Sequence, residues 1–542
     1  MAIKDDFIKF LSNHPSLHSD KPAPINLYAN LLDAGSALDI NIKALNIPYY
    51  SSGYNCTNVQ YWENVIKPLY VAKFHCKKGS QPMIGGTYWN HSATINKYIE
   101  FLKQYGDTIS QDSSTEIIIK KSHKGYHHRS LENIEDAVNH ADKTTLHKFD
   151  YLRAMRTKPF LLLAGISGTG KSRIVKQMAF DSCPDDTELR SDPTSPGNYC
   201  LIEVKPNWHD STELLGYESK IGGAHYQLTP FVKFLAKAML YPDVPFFVCL
   251  DEMNLAPVEQ YFAEFLSVLE SRTKLPDGHI VSEPLVKAGI FANKDYEPKL
   301  QDNLFGLELK EETNADGSQR IISGKLSDEA QSVYDDLKKY GLRIPENVIV
   351  VGTVNMDETT HQFSRKVIDR AMTIEMNLPE GNPFMDFFSH GSELAYRNTP
   401  TSPSLYLATE TKASDVIKAL ATDDTENTEW LKGEVASFLT NLNAKLDGTP
   451  FKVAYRVQNE LILYFYQFYL ENKTADWNDI LNTACDQILM MKVLPRIEGD
   501  EELLKKPLDK LASFCEPYSN ASKKIKEMTD RLGQSRFASF WP

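Results

Sequence analysis

An α/β fold is what this 542-residue sequence predicts: a parallel sheet, a helical C-terminal lid, and a mixed, mainly helical domain ahead of them. Three observations predict it. Short apolar runs at 160–164, 199–204, 246–250 and 347–354 have the length and residue types of buried parallel strands. A glycine-rich stretch, 165–172, joins the first run to a helical pattern. From about residue 380 onward the apolar periodicity is helical.

The whole chain sets outer bounds. Apolar residues make up 42% and charged residues 24%, an ordinary globular composition. No apolar run reaches transmembrane length, and the opening Met-Ala-Ile-Lys-Asp-Asp lacks the apolar core of a signal peptide, so the expectation is a cytoplasmic protein without a membrane partner. Seven cysteines (56, 76, 183, 200, 249, 485, 515) are dispersed with no C-x-x-C pair, which reads as reduced thiols rather than disulfides or a zinc site. The net charge of −13 is uneven: residues 1–150 hold 16 Lys and Arg against 15 Asp and Glu, so the remaining 392 carry −14. A nucleic-acid surface is therefore expected in the first 150 residues if anywhere.

Residues 1–110 read as a separate module with helices over 5–11, 25–37 and 89–104, the last carrying Ile95, Tyr98, Ile99 and Leu102 on one face. Lys73, Lys77 and Lys78 interleave with Trp62, Tyr70, Tyr88 and Trp89. That pattern suits DNA, where rings stack and lysines meet phosphate; the alternative is that the aromatics are core. Residues 111–145 form a connecting segment whose basic stretch, Lys120 to Arg129, is a solvated loop or a phosphate contact. Helix 131–155 leads into the first strand.

The α/β core spans 146–380. Gly165, Gly170, Lys171 and Ser172 fit G-x-x-x-x-G-K-[ST], the phosphate-binding loop. Glycines let the backbone curl so that successive N–H groups converge on one anion, and the following helix adds its dipole. The nucleotide-binding stretch is thus Gly165, Ile166, Ser167, Gly168, Thr169, Gly170, Lys171, Ser172 and Arg173. Lys171 reaches the β- and γ-phosphates, and Ser172 ligates Mg²⁺. Strand 199–204 is followed by a hairpin over 217–228 with Gly222-Gly223 at its tip, then helix 231–240; in a ring such a hairpin lines the pore. Strand 246–250 ends in Asp251-Glu252: Asp251 holds Mg²⁺, and Glu252 orients and deprotonates the attacking water. Helix 258–270 packs one apolar face on the core, and polar 273–345 is an insertion without assigned chemistry. Strand 347–354 ends at Asn355, a hydrogen-bonding partner for the γ-phosphate or the lytic water. Arg370, in the helix that follows, either points into the next subunit's site or makes a surface salt bridge. The lid, 381–542, includes a helix with Trp430, Leu431, Val435, Phe438, Leu439 and Leu442 on one face, and an aromatic helix opened by Arg456, placed to reach the nucleotide.

Four segments follow one another: Gly-Ile-Ser-Gly-Thr-Gly-Lys-Ser (165–172), Val-Lys-Pro-Asn-Trp-His-Asp-Ser-Thr-Glu-Leu-Leu-Gly-Tyr (204–217), Leu-Asp-Glu-Met-Asn-Leu-Ala-Pro-Val-Glu-Gln-Tyr-Phe (250–262) and Val-Gly-Thr-Val-Asn-Met-Asp-Glu-Thr-Thr-His (351–361). Over about 150–500 this resembles the McrB-type branch of the AAA+ P-loop NTPases, in the dynein-related, MoxR-like group. The resemblance implies a hexameric ring motor of a restriction system that uses GTP, with an McrC-type partner that stimulates hydrolysis and carries the nuclease, and a variable N-terminal domain that reads DNA. Lys171 and Ser172 match the family's loop pair, Asp251 and Glu252 its second acidic motif, and Asn355 the asparagine of its Met-Asn-Thr-Ala-Asp signature. Here that signature reads Val-Asn-Met-Asp-Glu, so guanine selectivity does not follow from the resemblance, and the family's arginine run is thinned to Arg370. The P-D…(D/E)-x-K arrangement of restriction nucleases needs an acid and then an acid-x-Lys on a strand; no convincing set of that kind stands out, which leaves any cleavage to a partner. Beside a GTP-driven restriction motor stand an ATP-driven, MoxR-like remodeller of proteins and a nucleotide-binding scaffold without turnover; a pure binder has no use for Glu252, Asn355 and Arg370.

Overall fold

A computed structural model describes residues 148–541 apart from 221–223, 314–318, 357–362 and 377–393, with 133–141, 94–99 and a few positions before them. The chain divides into two compact units, 1–124 and 125–542, a division that falls inside the segment 111–145. In the first unit the helical stretch 94–99 buries Ile95, Tyr98 and Ile99, three of the four residues predicted to share a face. Helix 5–11, most of 25–37, the Lys/aromatic stretch and the basic segment 120–129 lie outside the described residues.

In the second unit, five strands form one parallel sheet: β1 Phe160–Gly165, β2 Tyr199–Glu203, β3 Phe246–Asp251, β4 Val348–Asn355 and β5 Met372–Glu375, in the order β5-β1-β4-β3-β2. β1, β3 and β4 are buried on both faces, which is why their sequences are mostly apolar runs. β2 lies at one edge with Leu201 exposed. β5, at the other edge, is absent from the sequence reading: Met-Thr-Ile-Glu is short and half polar. After β1 the chain crosses to β2, returns through β3 and β4, and then passes β1 to reach β5. The C-terminal end of β1 therefore sits where the winding reverses, the place where open α/β sheets bind ligands.

Helices flank the sheet: α1 Phe149–Thr157, α2 Lys171–Ser182, α3 Pro230–Leu240 and α4 Ala263–Glu270. Thr229 caps α3 by accepting from the Val232 N–H at 3.3 Å, with Pro230 at the first turn. The predicted helix 258–270 is two pieces, Val258–Tyr261 and α4. Phe262 leaves helical geometry between them (φ −108°, ψ 2°), and its ring packs 5.3 Å from Phe160 and 4.5 Å from Phe265. The predicted hairpin is present as antiparallel Tyr217–Ser219 and His225–Gln227, with its tip, 221–223, outside the described residues. The polar stretch 273–345 is a folded addition, with antiparallel strand pairs and helices, the longest being α5 Asp328–Tyr340, whose Tyr334 and Leu337 join the main core.

The C-terminal part is helical: Ala413–Asp423, α6 Thr425–Lys445, α7 Tyr455–Glu471, α8 Trp477–Ile488, α9 Glu501–Phe514 and α10 Ser519–Ser535. Asp424, Asp476 and Asp500 cap α6, α8 and α9 through side-chain oxygens. α6 buries Leu431, Val435, Phe438, Leu439 and Leu442, the predicted face, with Trp430 half-buried. Polar contacts join this part to α1. Arg156, fully buried, donates to Gln467 Oε1 (2.8 Å), to the Leu405 carbonyl (2.7 Å) and to Glu471, and Arg153 Nε donates to Glu471 Oε2 at 2.8 Å. Burial pushes the Arg156 guanidinium's pKa down, and the Glu471 carboxylate opposes that. Among the described residues no helix is long and apolar enough to cross a membrane, and the five described cysteines are free thiols.

Candidate functional site

The site begins where β1 ends. A Cβ on Gly165 would lie 2.3 Å from the Met376 carbonyl oxygen, so no larger residue fits against the end of β5. Gly168 (φ 81°) and Gly170 (φ 83°) take left-handed conformations, open to glycine at little cost. The loop then turns into α2, whose N-terminus, with the helix dipole behind it, has the polarity that suits an anion. Lys171 is buried, and its Nζ donates to the carbonyls of Gly165 (3.1 Å) and Ile166 (2.7 Å), holding the ammonium under the loop.

Beside the loop, Asp251 Oδ1 accepts from Ser172 Oγ and from Thr353 Oγ1, both at 2.6 Å. β4 lies between β1 and β3, so Thr353 bridges their ends. Its hydroxyl spends its proton on Asp251 and accepts from the Glu252 N–H at 3.0 Å. Glu252 itself is left-handed (φ 51°, ψ 50°), a conformation that costs a non-glycine residue roughly 1–3 kcal/mol and turns the chain sharply at the strand end. Asn355, in register with Gly165, donates through Nδ2 to Glu252 Oε1 at 3.2 Å. Ser172, Asp251, Thr353, Glu252 and Asn355 thus form one hydrogen-bonded run across the mouth of the loop. Two contacts set the corner: Tyr261 donates to the Met253 carbonyl (2.9 Å), and Met253 fills the space that the missing side chain of Gly352 leaves in β4.

These residues fit a magnesium nucleotide. Among the described residues no three His, Cys, Asp or Glu gather as a metal cluster, so an ion here would be held by Ser172, Asp251 and substrate phosphates, as Mg²⁺ characteristically is. The Cys249 thiol belongs to β3 just before Asp251; burial, with the nearby Asp251 charge, pushes its pKa up to about 12, so it supplies no soft thiolate. The donor set is all oxygen, which suits a hard cation. Together with the sheet order, this arrangement is consistent with a P-loop ATPase-like core.

Arg370 and Arg456 lie elsewhere. Met372 pairs with Leu161, so Arg370, two residues earlier, is level with the start of β1, about 20 Å along the strand from Gly165. It sits in the turn after a one-turn helix, Arg365–Ile368, rather than in a helix as the sequence predicts. Its guanidinium makes no hydrogen bond or ion pair among the described residues. Arg456 does not face the nucleotide loop as expected. Its Nε donates to Glu270 Oε2 at 2.9 Å and its Nη1 to Asp369. Glu270 also holds Lys158, two residues before β1 starts, so this group occupies the end of the strands opposite the loop. Sequence reasoning missed Thr353 altogether; the signal was a lone hydroxyl in an otherwise apolar strand.

A family model for a domain of unknown function, DUF8727, matches residues 410–537, within the helical C-terminal part. No curated protein matches the chain. Among solved structures the chain is similar to a candidate ATPase from Cytophaga hutchinsonii, with 11% identity and a TM-score of 0.32, covering 70% of this chain and 90% of that one.

Proposed function

We propose that the chain is the motor subunit of a hexameric AAA+ ring of McrB type, hydrolysing a nucleoside triphosphate, with GTP favoured, to drive an McrC-type nuclease in DNA restriction and phage defence. The observation that carries this reading is the run Ser172–Asp251–Thr353–Glu252–Asn355 at the mouth of the phosphate loop. The loop N–H groups and the α2 N-terminus bind the phosphates, and Lys171 turns from its loop carbonyls to the β- and γ-phosphates. When bound between Ser172 and Asp251, Mg²⁺ supplies charge neutralisation at the phosphates. Glu252, held by Asn355 Nδ2, takes the proton of the attacking water. Arg370 serves the adjacent subunit's site, since its own loop lies at the far end of the strand. The N-terminal unit reads DNA, and the whole acts in the cytoplasm.

An ATP-driven remodeller of proteins is the second reading, and Asn355-Met-Asp-Glu in place of the McrB signature favours it. Steady-state turnover of GTP and ATP in parallel, with and without duplex DNA, separates the two. Faster GTP turnover that responds to DNA supports the motor. ATP preference without a DNA response moves the chain to the remodellers, and no turnover of either nucleotide ends both readings.

A further inference from the structure

We propose that Lys492 is the positioning residue for Arg370, fixing where the turn 369–371 presents that guanidinium to a neighbouring subunit. This rests on the reading of Arg370 as acting in trans. Lys492 belongs to a π-helical turn, Leu489–Val493, that continues α8 and packs against β5. It is fully buried. Its Nζ donates to the Asp369 carbonyl and to the Ala371 carbonyl, both at 2.7 Å, so the ammonium grips the backbone on either side of Arg370. Its counter-ion is Glu460 of α7, with Oε2 at 2.7 Å, and Glu460 also pairs with Lys158 at 2.8 Å.

The Asp369 side chain is held from the same helical part. It accepts from Arg456 at the start of α7 and lies 3.5 Å from Arg496 Nη1. Backbone and side chain of the turn are therefore fixed by three basic residues of the C-terminal helices, while Arg370 stays unpaired among the described residues. Packing alone does not call for this. A lysine buried to this depth is costly unless its charge and N–H groups are matched, and a methionine would fill the same space. What the ammonium adds is a fixed place for two carbonyls, and the residue between them is Arg370.

The test is a double-mutant cycle in the full chain, reading kcat and nucleotide affinity for Lys492→Met, Arg370→Ala and the two combined. A guanidinium misplaced by about an ångström loses rate by up to ~10²-fold. Lys492→Met is expected to lower kcat by about 10- to 10²-fold with nucleotide affinity unchanged, and the double variant to be no slower than Arg370→Ala. A purely structural lysine would instead add its loss to that of Arg370→Ala, and additive losses overturn the proposal. Asp369→Asn, which keeps the shape of the turn but loses the charge held by Arg456 and Arg496, is the companion variant and decides the matter if Lys492→Met does not fold. It too should slow wild type and leave the Arg370→Ala background unchanged. Full kcat in both positioning variants, with Arg370→Ala slow, overturns the positioning role alone. Full kcat in Arg370→Ala overturns the trans reading and the positioning role with it.

Discussion

Glu252 carries the chemistry in this account, and its surroundings say how. A strained backbone turns it off the end of β3, Thr353 holds its N–H, and Asn355 holds one carboxylate oxygen. Glu252→Gln keeps size and hydrogen bonding but cannot take a proton. Turnover is expected to fall by roughly 10²–10⁴ while nucleotide binding persists; a parental rate in this variant would remove the assignment. Lys492 gives a second expectation, with opposite signs for stability and activity. Burial pushes its pKa down to about 8, Glu460 and Glu270 pull it up, and Lys158 pushes it further down. In the unfolded chain a lysine titrates near ~10.4, so between these values the unfolded chain holds a proton that the folded one lacks. Its contribution to stability is full above about 10.4 and is lost as pH falls to about 8. The grip on Asp369 and Ala371 needs the ammonium, so kcat should fall as pH rises through about 8. A pH–rate profile for Lys492→Met should lack that limb, and an unchanged limb counts against it.

At the scale of elements, what the sequence reveals depends on burial. β1, β3 and β4 were legible because both faces are covered, which leaves mostly apolar runs. The phosphate loop and Asp251-Glu252 were legible because their chemistry dictates residue type at fixed spacing. β5 was not: at the sheet edge, Thr373 and Glu375 break its apolar pattern. Thr353 was hidden in the opposite way, as a polar residue inside a strand read for its apolar neighbours. Arg456 was misplaced because the end of the strands that its side chain meets is set by tertiary pairing with Glu270 and Asp369, distant in sequence. Gly352 tests the link between strand and site. A Cβ there would lie 2.4 Å from Met253 Sδ and 3.0 Å from Leu162 Cδ2, so Gly352→Ala displaces the residue that follows Glu252. Overpacking of this kind costs about 1–3 kcal/mol. The expected result is a lower denaturation midpoint together with a kcat loss larger than any change in nucleotide affinity; unchanged kcat would show that Met253 moves without the acidic corner.

Within the second unit, a candidate nucleotide site at one end of the strands is joined to an arginine turn at the other, with the C-terminal helices holding the second. The family match covers these helices and stops short of the loop, so the site rests on its own geometry. The proposed reading assigns target recognition to the first unit because residues 1–150 are near charge neutrality while the rest is acidic. On the proposed reading, a fragment of residues 1–124 binds duplex DNA with an affinity that falls as salt rises, and 125–542 binds nucleotide without binding DNA. A folded 1–124 that binds no duplex, modified or unmodified, at low salt would remove that division of labour.

The central claim is that one subunit's phosphate loop works with the next subunit's Arg370, and mixed assembly tests it most directly. Arg370→Ala subunits should bind nucleotide but hydrolyse it poorly, by a loss of about 10² or more. Lys171→Ala subunits keep Arg370 but cannot use nucleotide. Mixed together, some interfaces regain one intact loop and one intact arginine, so turnover of the mixture should exceed that of either parent. A mixture no more active than its components, despite demonstrated co-assembly, would contradict the account.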